Sequence, residues 1–304
     1  MKILVTGVAG QLGHDVMNEL DKRGIEGIGS DLAPSYNGAP DGTAVTVMPY
    51  EAMDITDAGN VEEVLRRTVP DAVVHCAAWT AVDKAEECPE ACRAVNAGGT
   101  ENIARVCGQM GIPMMYFSTD YVFDGQGERP WKPEDPKNPL DVYGMTKSEG
   151  EDAVIRYAGK YYILRIAWVF GTNGRNFIKT MLNLAKTHDT LRVVNDQIGT
   201  PTYTYDLARL VVDMMLTDRY GIYHVTNEGS YISWYDFACA IFREAGVENV
   251  RVIPVSTAEY GAAAIRPSNS RMDRSRIIEE GFEPLPDWRD ALRRYIRALS
   301  GDAS

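Results

Sequence analysis

An apolar strand, a glycine-rich turn and a helical pattern follow one another at the start of the chain, and this order constrains the fold more than any other stretch. The strand runs from Ile3 to Val5, the turn GVAGQLG places glycines at 7, 10 and 13, and the helical pattern runs from Leu12 to Arg23. Glycines let the backbone turn tightly and approach a pyrophosphate, whose charge the helix N-terminus stabilises. We therefore expect Gly7 and Gly10 to bind a dinucleotide. The glycine spacing is not the commonest one, and a purely structural turn is the alternative.

Asp31 follows the second predicted strand, which runs from Gly24 to Ser30. A carboxylate at this position can accept hydrogen bonds from ribose hydroxyls and would repel a 2′-phosphate, which favours NADH over NADPH. Two alternatives stay open. Asp31 could cap a helix instead, and Lys22 or Arg23 could offset its charge.

A long loop separates the second strand from the next acidic residue. It runs from Leu32 to Met53 and contains the turn-rich stretch from Pro34 to Thr43. Asp54 and Ile55 then end a short run ahead of a helix predicted over Asn60 to Thr68. We place both residues in the cofactor site, where Asp54 either contacts the adenine or caps that helix.

Three further apolar runs are typical of buried parallel strands: Asp71 to Cys76, Pro113 to Ser118 and Tyr161 to Ala167. Helical patterns separate them, so the predicted fold is α/β, a doubly wound parallel sheet of the Rossmann type with a second, smaller substrate domain. Ala77 and Ala78 follow the first of these runs, and their small size leaves room for a cofactor at the strand tip.

The stretch from Pro89 to Met110 is predicted to be one long helix, although it contains Asn96 and two glycines in VNAGGT. Each glycine inside a helix costs about 1 kcal/mol relative to alanine. Either a function requires these residues, or they allow a local kink for packing.

Tyr143 and Lys147 lie four residues apart in YGMTKSEGE, at the start of another predicted helix. Residues at this spacing share one helix face, and a lysine ammonium close to a tyrosine favours the phenolate. Tyr143 is therefore a candidate general acid or base. For the bare spacing, a surface helix with an incidental Tyr and Lys is the alternative.

The run STDYVFDG begins at the carboxyl end of a predicted strand, where open parallel sheets bind ligands. Of its first residues, Thr119 is the candidate to hold a substrate carbonyl for Tyr143, and Asp120 lies beside it. The proline-rich stretch from Gly125 to Pro139 is predicted to be a mobile loop that leads to the Tyr143 helix.

The overall charge and the cysteines exclude several classes of protein. The formal net charge of -12 gives no basic surface for nucleic acid or for an anionic membrane. No apolar run approaches the roughly 20 residues of a membrane span, so we expect a cytoplasmic protein. The five cysteines fit reduced packing residues rather than a disulfide framework: Cys76, Cys88, Cys92, Cys107 and Cys239.

Several blocks in one order resemble the dTDP-4-dehydrorhamnose reductase branch of the extended short-chain dehydrogenase/reductases. They are TGVAGQLG, CAAWTAVDKAE, STDYVFDG, YGMTKSEGE, LRIAWVFG and NFIKTML, and they cover nearly the whole chain. The resemblance implies NAD(P)H-dependent reduction of the carbon-4 ketone of dTDP-4-dehydro-L-rhamnose to dTDP-L-rhamnose. It also implies that Thr119, Tyr143 and Lys147 form the catalytic set, with Lys147 holding the nicotinamide ribose.

The resemblance further implies residues that line the two ligands. The cofactor would be lined by Gly10, Gln11, Leu12, Ala77, Ala78 and Trp79. Trp168 would lie against the sugar, Arg266 would bind the diphosphate, and DQIGTPTYTYDLA and RPSNSRMD would help to shape the substrate site. From the residues alone, Trp168 is a core residue and Arg266 a surface arginine. Some members of the family are described as binding Mg²⁺, for which the sequence offers no ligand set.

We place the dinucleotide-binding domain at residues 1–170 and the mainly substrate-binding domain at 171–304, with some later segments returning to the first. Helices in the second part are predicted over Asn176 to Thr187, Tyr205 to Leu216 and Ser233 to Ala245. Two other functions stay open: a related reductase or epimerase acting on another nucleotide sugar, and a non-catalytic dinucleotide-binding regulatory subunit. The oligomeric state is either a monomer or a homodimer.

Overall fold

The structure is a computed structural model that describes residues 1–39 and 44–301. The last four residues of the stretch predicted as a turn-rich loop, Pro34 to Thr43, lie outside the described residues. After that gap the predicted Leu32 to Met53 loop contains a short helix and a short strand, Ala44–Val47 and Tyr50–Ala52.

Thirteen strands are present in the described residues. In chain order they are β1 Lys2–Thr6, β2 Glu26–Asp31, β3 Tyr50–Ala52, β4 Ala72–His75, β5 Met114–Thr119, β6 Tyr161–Ile166, β7 Val169–Phe170, β8 Thr190–Val194, β9 Ile198–Gly199, β10 Thr202–Tyr203, β11 Gly221–His224, β12 Ile232–Ser233 and β13 Arg251–Val255.

Thirteen α-helices accompany them in the same part of the chain. They are α1 Gln11–Lys22, α2 Ala44–Val47, α3 Ala58–Thr68, α4 Val82–Glu87, α5 Pro89–Arg93, α6 Thr100–Met110, α7 Val142–Tyr157, α8 Phe177–Leu184, α9 Thr204–Met215, α10 Trp234–Glu244, α11 Thr257–Tyr260, α12 Ser275–Glu279 and α13 Trp288–Ser300. None of the helices described here is long and apolar enough to span a bilayer.

Seven strands form one parallel sheet in the order β11-β6-β5-β4-β1-β2-β3. The first six strands along the chain therefore have the order 3-2-1-4-5-6 of a doubly wound dinucleotide-binding fold. The chain reverses its direction of travel between β1 and β4, and the crevice at this switch point is where such sheets bind ligands. The predicted fold class is confirmed.

Alternating side chains of the strands fill two cores, one on each face of the sheet. On β1, Ile3 and Val5 pack with α1 and α9, whereas Leu4 packs on the opposite face with α3, α6 and α7. Because both faces are covered by helices, the strands are apolar throughout, which is why they could be recognised as continuous apolar runs.

The second part of the chain contributes to both halves of the molecule. β11 pairs with β6 at the edge of the central sheet, and α9 packs against α1. The remaining elements form a separate core in which α8, α10 and α13 surround the aromatic side chains of Phe170 and Phe237. Three two-stranded pairs, β7 with β10, β8 with β13 and β9 with β12, complete this half.

The predicted long helix from Pro89 to Met110 requires a correction. The segment is helical throughout, but it forms π-helical turns over Ala94–Gly99, between α5 and α6. A π-bulge widens the helix and is frequent at functional sites. The helix α6, which directly follows these turns, packs against α7 of the same chain.

The helix α3 is capped by Asp57, not by Asp54. The Asp57 carboxylate accepts hydrogen bonds from the backbone N–H groups of Gly59 and Asn60, at 2.9 and 3.1 Å. The Asp54 carboxylate instead accepts from the backbone and the hydroxyl of Thr56. The capping alternative for Asp54 is therefore wrong.

Candidate active site

A cavity of about 990 Å³ lies beyond the carboxyl ends of β1, β2, β4, β5 and β6. Its wall contains most of the side chains that the sequence singles out: Gly7, Gly10, Gln11, Leu12, Asp31, Asp54, Ile55, Ala77, Ala78, Thr119, Asp120, Tyr143, Lys147 and Trp168. The fold therefore brings residues from the glycine turn, the tips of five strands and the start of α7 to one space.

The glycine turn leaves no room for a side chain at its first position. Gly7 has φ +70°, and a Cβ atom there would lie 2.6 Å from the backbone nitrogen of Ala77. Gly10 is the N-cap of α1 and makes no side-chain capping bond, so the first N–H groups of the helix face the cavity without a side-chain acceptor. Backbone donors in this position suit a pyrophosphate.

Asp31 lies on the cavity wall at the end of β2, and its carboxylate braces the glycine turn. One oxygen accepts a hydrogen bond from the Ala9 N–H at 3.0 Å, and the other accepts from the Leu32 N–H at 2.8 Å. Each carboxylate oxygen has a second lone pair, so the carboxylate can still accept from ribose hydroxyls.

A buried polar chain connects β1 to the π-helical turns through β4. The Thr6 hydroxyl lies 2.8 Å from Nδ1 of His75, and Nε2 of His75 lies 3.2 Å from the Thr100 hydroxyl. That hydroxyl donates to the backbone carbonyl of Asn96 at 2.7 Å, so its hydrogen is already used. Nε2 of His75 must then be the donor and Nδ1 the acceptor. Burial lowers the pKa of His75 to about 3, in agreement with a neutral ring.

Asn96 links the tip of β4 to α7. Its amide group exchanges hydrogen bonds with the backbone of Trp79, as acceptor from the N–H at 2.8 Å and as donor to the carbonyl at 3.1 Å. It also donates to the hydroxyl of Thr146, the neighbour of Lys147, at 3.1 Å. Asn96, although unfavourable inside a helix, thus holds the loop after Ala78 against α7, the helix that carries Tyr143.

Tyr143 and Thr119 lie close together on the cavity wall. Thr119 donates to Asp120 at 2.9 Å and accepts from the Tyr121 N–H at 3.2 Å. Burial raises the pKa of Tyr143 well above its usual value, the nearby Thr119 lowers it, and Asp120 raises it further. The expected lowering of this pKa by Lys147 is therefore outweighed by burial, and Tyr143 is a protonated phenol at neutral pH.

Lys147 is buried one helical turn after Tyr143. Its Nζ atom lies 4.1 Å from the centre of the Tyr116 ring, and burial lowers its pKa to about 7, while the Glu151 carboxylate acts in the opposite direction. Tyr116 also donates to the Lys147 carbonyl at 3.2 Å. The ammonium form is thus available near neutral pH, with its charge held in a low-dielectric site.

Two buried carboxyl groups flank Tyr143. Burial raises the pKa of Asp120 to about 6 and that of Asp141 to about 7, and each carboxylate disfavours ionisation of its neighbours. Asp141 is the N-cap of α7 and accepts from the Gly144 N–H at 2.6 Å. The substrate end of the cavity therefore becomes less negative as the pH falls towards 6.

Trp168 lies between β6 and β7 with φ +50°, which is uncommon for a bulky residue. Its ring stacks on Trp234 with the ring centres 3.8 Å apart, and both residues line the cavity. At the carboxyl ends of the strands, the cavity thus presents a flat aromatic surface of the kind that packs against a sugar ring.

Two residues assigned through the family resemblance lie away from the cavity wall. Trp79 is half-buried, and its indole N–H donates to the Ala81 carbonyl at 3.1 Å. The guanidinium of Arg266 forms a two-fold ion pair with Asp83, at 3.1 and 2.6 Å. Their roles stay predictions, and any anion that binds Arg266 must share it with Asp83.

Arg175 and Trp234 line the cavity although the sequence reasoning did not select them. A signal for Arg175 exists, because it is a cation in the turn GTNGRN directly after the strand β7. Trp234 offers no such signal, since an aromatic residue at the start of a helix is equally typical of a core position.

The wall fits a dinucleotide better than it fits a metal ion. Among residues 1–39 and 44–301, no group of three or more His, Cys, Asp or Glu side chains is placed to hold a metal. The glycine turn and the uncapped start of α1 instead offer backbone donors for a pyrophosphate, and Tyr143, Thr119 and Lys147 lie farther along the same cavity.

The amino-acid sequence matches one family model along almost its whole length. The model is described as the RmlD substrate binding domain, and it covers residues 1–300. The chain is also 39% identical over 306 residues to a dTDP-4-dehydrorhamnose reductase of Streptomyces griseus, which covers 99% of this chain and 94% of the relative.

Two solved structures are similar over nearly their full length. One is a dTDP-4-dehydrorhamnose reductase of Clostridium acetobutylicum, with a TM-score of 0.90, 40% identity, and coverage of 99% of this chain and 100% of that one. The other is a dTDP-4-dehydrorhamnose reductase of Bacillus anthracis in complex with NADP, with a TM-score of 0.88, 35% identity, and coverage of 98% and 99%.

Proposed function

This chain belongs to the RmlD substrate binding domain family, and from that membership we propose that it is a dTDP-4-dehydrorhamnose reductase. Its reaction is the NAD(P)H-dependent reduction of the carbon-4 ketone of dTDP-4-dehydro-L-rhamnose to dTDP-L-rhamnose. The observation that carries the proposal is that Thr119, Tyr143 and Lys147 line one cavity together with the glycine turn, with Lys147 one helical turn after Tyr143.

Each of the three residues has a role that its surroundings support. Tyr143 is a protonated phenol and donates its proton to the alkoxide that forms as the ketone is reduced. Thr119 lies beside Tyr143 on the cavity wall and orients the ketone oxygen next to it. The buried ammonium of Lys147 stabilises the tyrosinate left behind, because charges interact more strongly in a low-dielectric site.

The nicotinamide cofactor, when bound, supplies the hydride. Gly7, Gly10, Gln11 and Leu12 would hold its pyrophosphate, and Lys147 its nicotinamide ribose. Asp31 lies where the adenosine ribose binds in this fold, so NADH is the preferred form. The NADP complex of the Bacillus anthracis relative concerns that protein, and for this chain we expect NADPH to bind more weakly than NADH.

Side chains from both parts of the chain form the nucleotide-sugar site. Trp168 and Trp234 offer an apolar face to the ring and the methyl group of a 6-deoxy sugar, and Asp120 is close enough to Thr119 to accept from a sugar hydroxyl. The division near Gly171 stays a prediction, and β11 and α9 of the later part pack with the first part.

The deciding experiment follows the oxidation of NADH and NADPH by the purified protein with enzymatically generated dTDP-4-dehydro-L-rhamnose, and then identifies the product by mass spectrometry and NMR. Formation of dTDP-L-rhamnose supports the proposal. A different reduced nucleotide sugar would indicate a related reductase, and dinucleotide binding without any turnover would indicate a regulatory subunit.

Replacing Tyr143 by Phe tests the proton donor. The variant Tyr143→Phe keeps the aromatic ring in its partly buried position on the cavity wall, so we expect the dissociation constant of NADH to change less than about two-fold. Turnover is expected to fall at least about 100-fold, because a positioned general acid contributes on this order. The exposed Tyr205→Phe is the matched control. Near-normal turnover of Tyr143→Phe would remove Tyr143 from the mechanism.

A further inference from the structure

Two cationic side chains lie on the cavity wall within the described residues, Lys147 and Arg175. Lys147 is buried beside Tyr143, and the nearby Glu151 carboxylate raises its pKa against the larger effect of burial. Arg175 is exposed at the cavity. In the part of the chain that the structure describes, its guanidinium has no hydrogen-bond or ion-pair partner.

The turn that carries Arg175 is tied to the glycine turn on both sides of the arginine. Before it, the Asn173 amide donates to the carbonyls of Ala9 and Gly10, at 3.0 and 3.3 Å. After it, the Asn176 amide donates to the side-chain oxygen of Gln11 at 2.9 Å. Arg175 therefore has little freedom to move away from the start of α1.

The turn is also closed on itself. Lys179 donates to the backbone carbonyls of Thr172 and Gly174, at 2.5 and 2.9 Å, and the Asn176 amide donates to the carbonyl of Gly171 at 3.0 Å. These bonds use the nearby donors and acceptors, and they leave the Arg175 guanidinium as the unpaired group of the turn. A chain with a formal net charge of -12 needs such a local cation to hold an anion.

Both ligands of the proposed reaction contain a diphosphate ester, so the position of Arg175 must distinguish them. Several bonds from its turn go to Ala9, Gly10 and Gln11. The other bonds that leave it go to Tyr36, Ala39 and Tyr295, and none of the bonds in the described residues goes to the Thr119 to Tyr143 end. Backbone N–H groups at the start of α1 meet the pyrophosphate of a dinucleotide in this fold. Arg175 lines the same cavity as this helix start, and its guanidinium can donate two parallel hydrogen bonds to phosphate oxygens.

We propose that Arg175 is a dinucleotide-binding residue that the second half of the chain places over the pyrophosphate, opposite the helix N-terminus. The inference rests on the proposed dinucleotide site and adds a side chain to what is otherwise a site of backbone donors. It also gives the turn GTNGRN a function that its sequence did not reveal.

Binding measurements on Arg175→Gln test the inference. Fluorescence titration of NADH and of NADPH and calorimetric titration of dTDP are compared among the unmodified protein, Arg175→Gln, Arg175→Lys and Arg251→Gln. Arg251 is exposed on β13, outside the cavity, and its replacement changes the net charge by the same amount. Each titration is repeated at low and high ionic strength.

We expect Arg175→Gln to raise the dissociation constants of NADH and NADPH alike, by about 10-fold, as for the loss of a hydrogen bond to a charged group. The loss should shrink at high salt, because the guanidinium is exposed. Arg175→Lys should retain most of the affinity, and Arg251→Gln all of it. The affinity for dTDP should not change.

Three results would overturn the inference while the proposed function stands. They are unchanged dinucleotide affinity in Arg175→Gln, a loss confined to NADPH, which would indicate a contact with the 2′-phosphate, and a loss of dTDP affinity alone, which would indicate the substrate diphosphate. Failure of the unmodified protein to bind either dinucleotide would overturn the proposed function together with the inference.

Discussion

Lys147 holds a charge in a place where burial opposes it. Burial lowers its pKa to about 7, and the compensating Glu151 carboxylate also forms a two-fold ion pair with the buried Arg165, at 2.8 and 2.9 Å. Only part of the Glu151 charge is therefore available to the lysine. A lysine in this state can gain or lose its proton when a ligand arrives.

Dinucleotide binding should consequently weaken as the pH rises through about 7. Below that pH the free protein carries the Lys147 ammonium, and above it the proton must be taken up when the ribose binds, which costs affinity. We expect the dissociation constant of NADH to rise by up to about ten-fold per pH unit above 7. NADH is the suitable probe because it lacks the titrating 2′-phosphate.

The matched variant is Lys147→Met, which retains the length of the side chain without its charge. It should bind NADH more weakly, and with an affinity that is independent of pH across this window. The affinity for NADH is measured by fluorescence titration between about pH 6 and pH 9. An affinity of the unmodified protein that does not change over this range would show that Lys147 keeps its proton throughout.

At the scale of single residues, most of the side chains that the sequence singled out do line the cavity, some selected by spacing and position along strands and others through the family resemblance. These signals were insufficient for Arg175 and Trp234, whose placement depends on how the second half folds back over the glycine turn. They also could not reveal that Asp83 forms an ion pair with Arg266, because the two residues are far apart in the chain. Nor could they give the pKa of Tyr143, which burial controls.

Among the elements, the π-helical turns and the helix α7 form the rigid support of the candidate active site. The turns contain Asn96, which bonds to the loop after β4 and to Thr146 on α7. Helix α7 starts at the buried cap Asp141, two residues before Tyr143. The stretch from Gly125 to Pro139, predicted to be a mobile loop, bonds through the Trp131 backbone to Arg271 and Asp273. That bonding ties the stretch to RPSNSRMD.

The cap of α7 gives a prediction for stability. Asp141→Ala removes the acceptor for the Gly144 N–H and should lower the free energy of unfolding by about 1 kcal/mol. Asp141→Asn keeps an acceptor and removes the buried charge. The folded protein keeps the Asp141 proton up to about pH 7, whereas the unfolded chain loses it near the ordinary value of 3.8. The contribution of Asp141 to stability therefore falls as the pH rises through that window.

Urea unfolding at the two ends of the window distinguishes these variants. Asp141→Asn should gain stability relative to the unmodified protein as the pH rises, while the deficit of Asp141→Ala should not exceed the loss of the cap. The free energy of unfolding could instead show the same pH dependence for Asp141→Asn and for the unmodified protein. In that case the Asp141 carboxyl group would be ionised in the folded state, and burial would not govern its proton.

Five strands of the central sheet were predictable because they are continuous apolar runs buried on both faces. The edge strands β3, which lies within the predicted Leu32 to Met53 loop, and β11 were not predicted. Nor were the pairs β9 with β12 and β7 with β10, since two-residue strands have no periodicity. Asn96 and the two neighbouring glycines indicated an irregularity within the predicted helix Pro89 to Met110, but the composition alone fits both a kink and a functional bulge.

At the scale of the whole molecule, one buried hydrogen bond joins the two halves near the glycine turn. The hydroxyl of Thr204, the first residue of α9, donates to the Asp15 carboxylate on α1 at 2.5 Å. Both residues are buried. The contact sits between the helix that starts at the glycine turn and the part of the chain that carries Trp168 and Arg175.

Thr204→Val tests how far this contact holds the halves together. Valine has nearly the same shape, so the variant removes the donor and leaves a buried carboxylate oxygen without it. We expect the free energy of unfolding to fall by about 1 to 3 kcal/mol. The exposed Thr180→Val, which removes a hydroxyl from the surface of α8, should change it by less than about 0.5 kcal/mol. Equal effects in urea unfolding would contradict the role of Thr204.

The return of β11 to the central sheet has a consequence for how the protein is made. The edge of β6 is covered only when Gly221–His224 pairs with it, and α1 loses its exposed apolar face only when α9 packs on it. During synthesis the ribosome releases the first six strands well before these segments. The nascent chain therefore carries an open strand edge for the time needed to translate some further residues, and open edges invite pairing with other chains. A chain terminated near residue 170 is therefore a candidate for chaperones rather than a smaller functional domain.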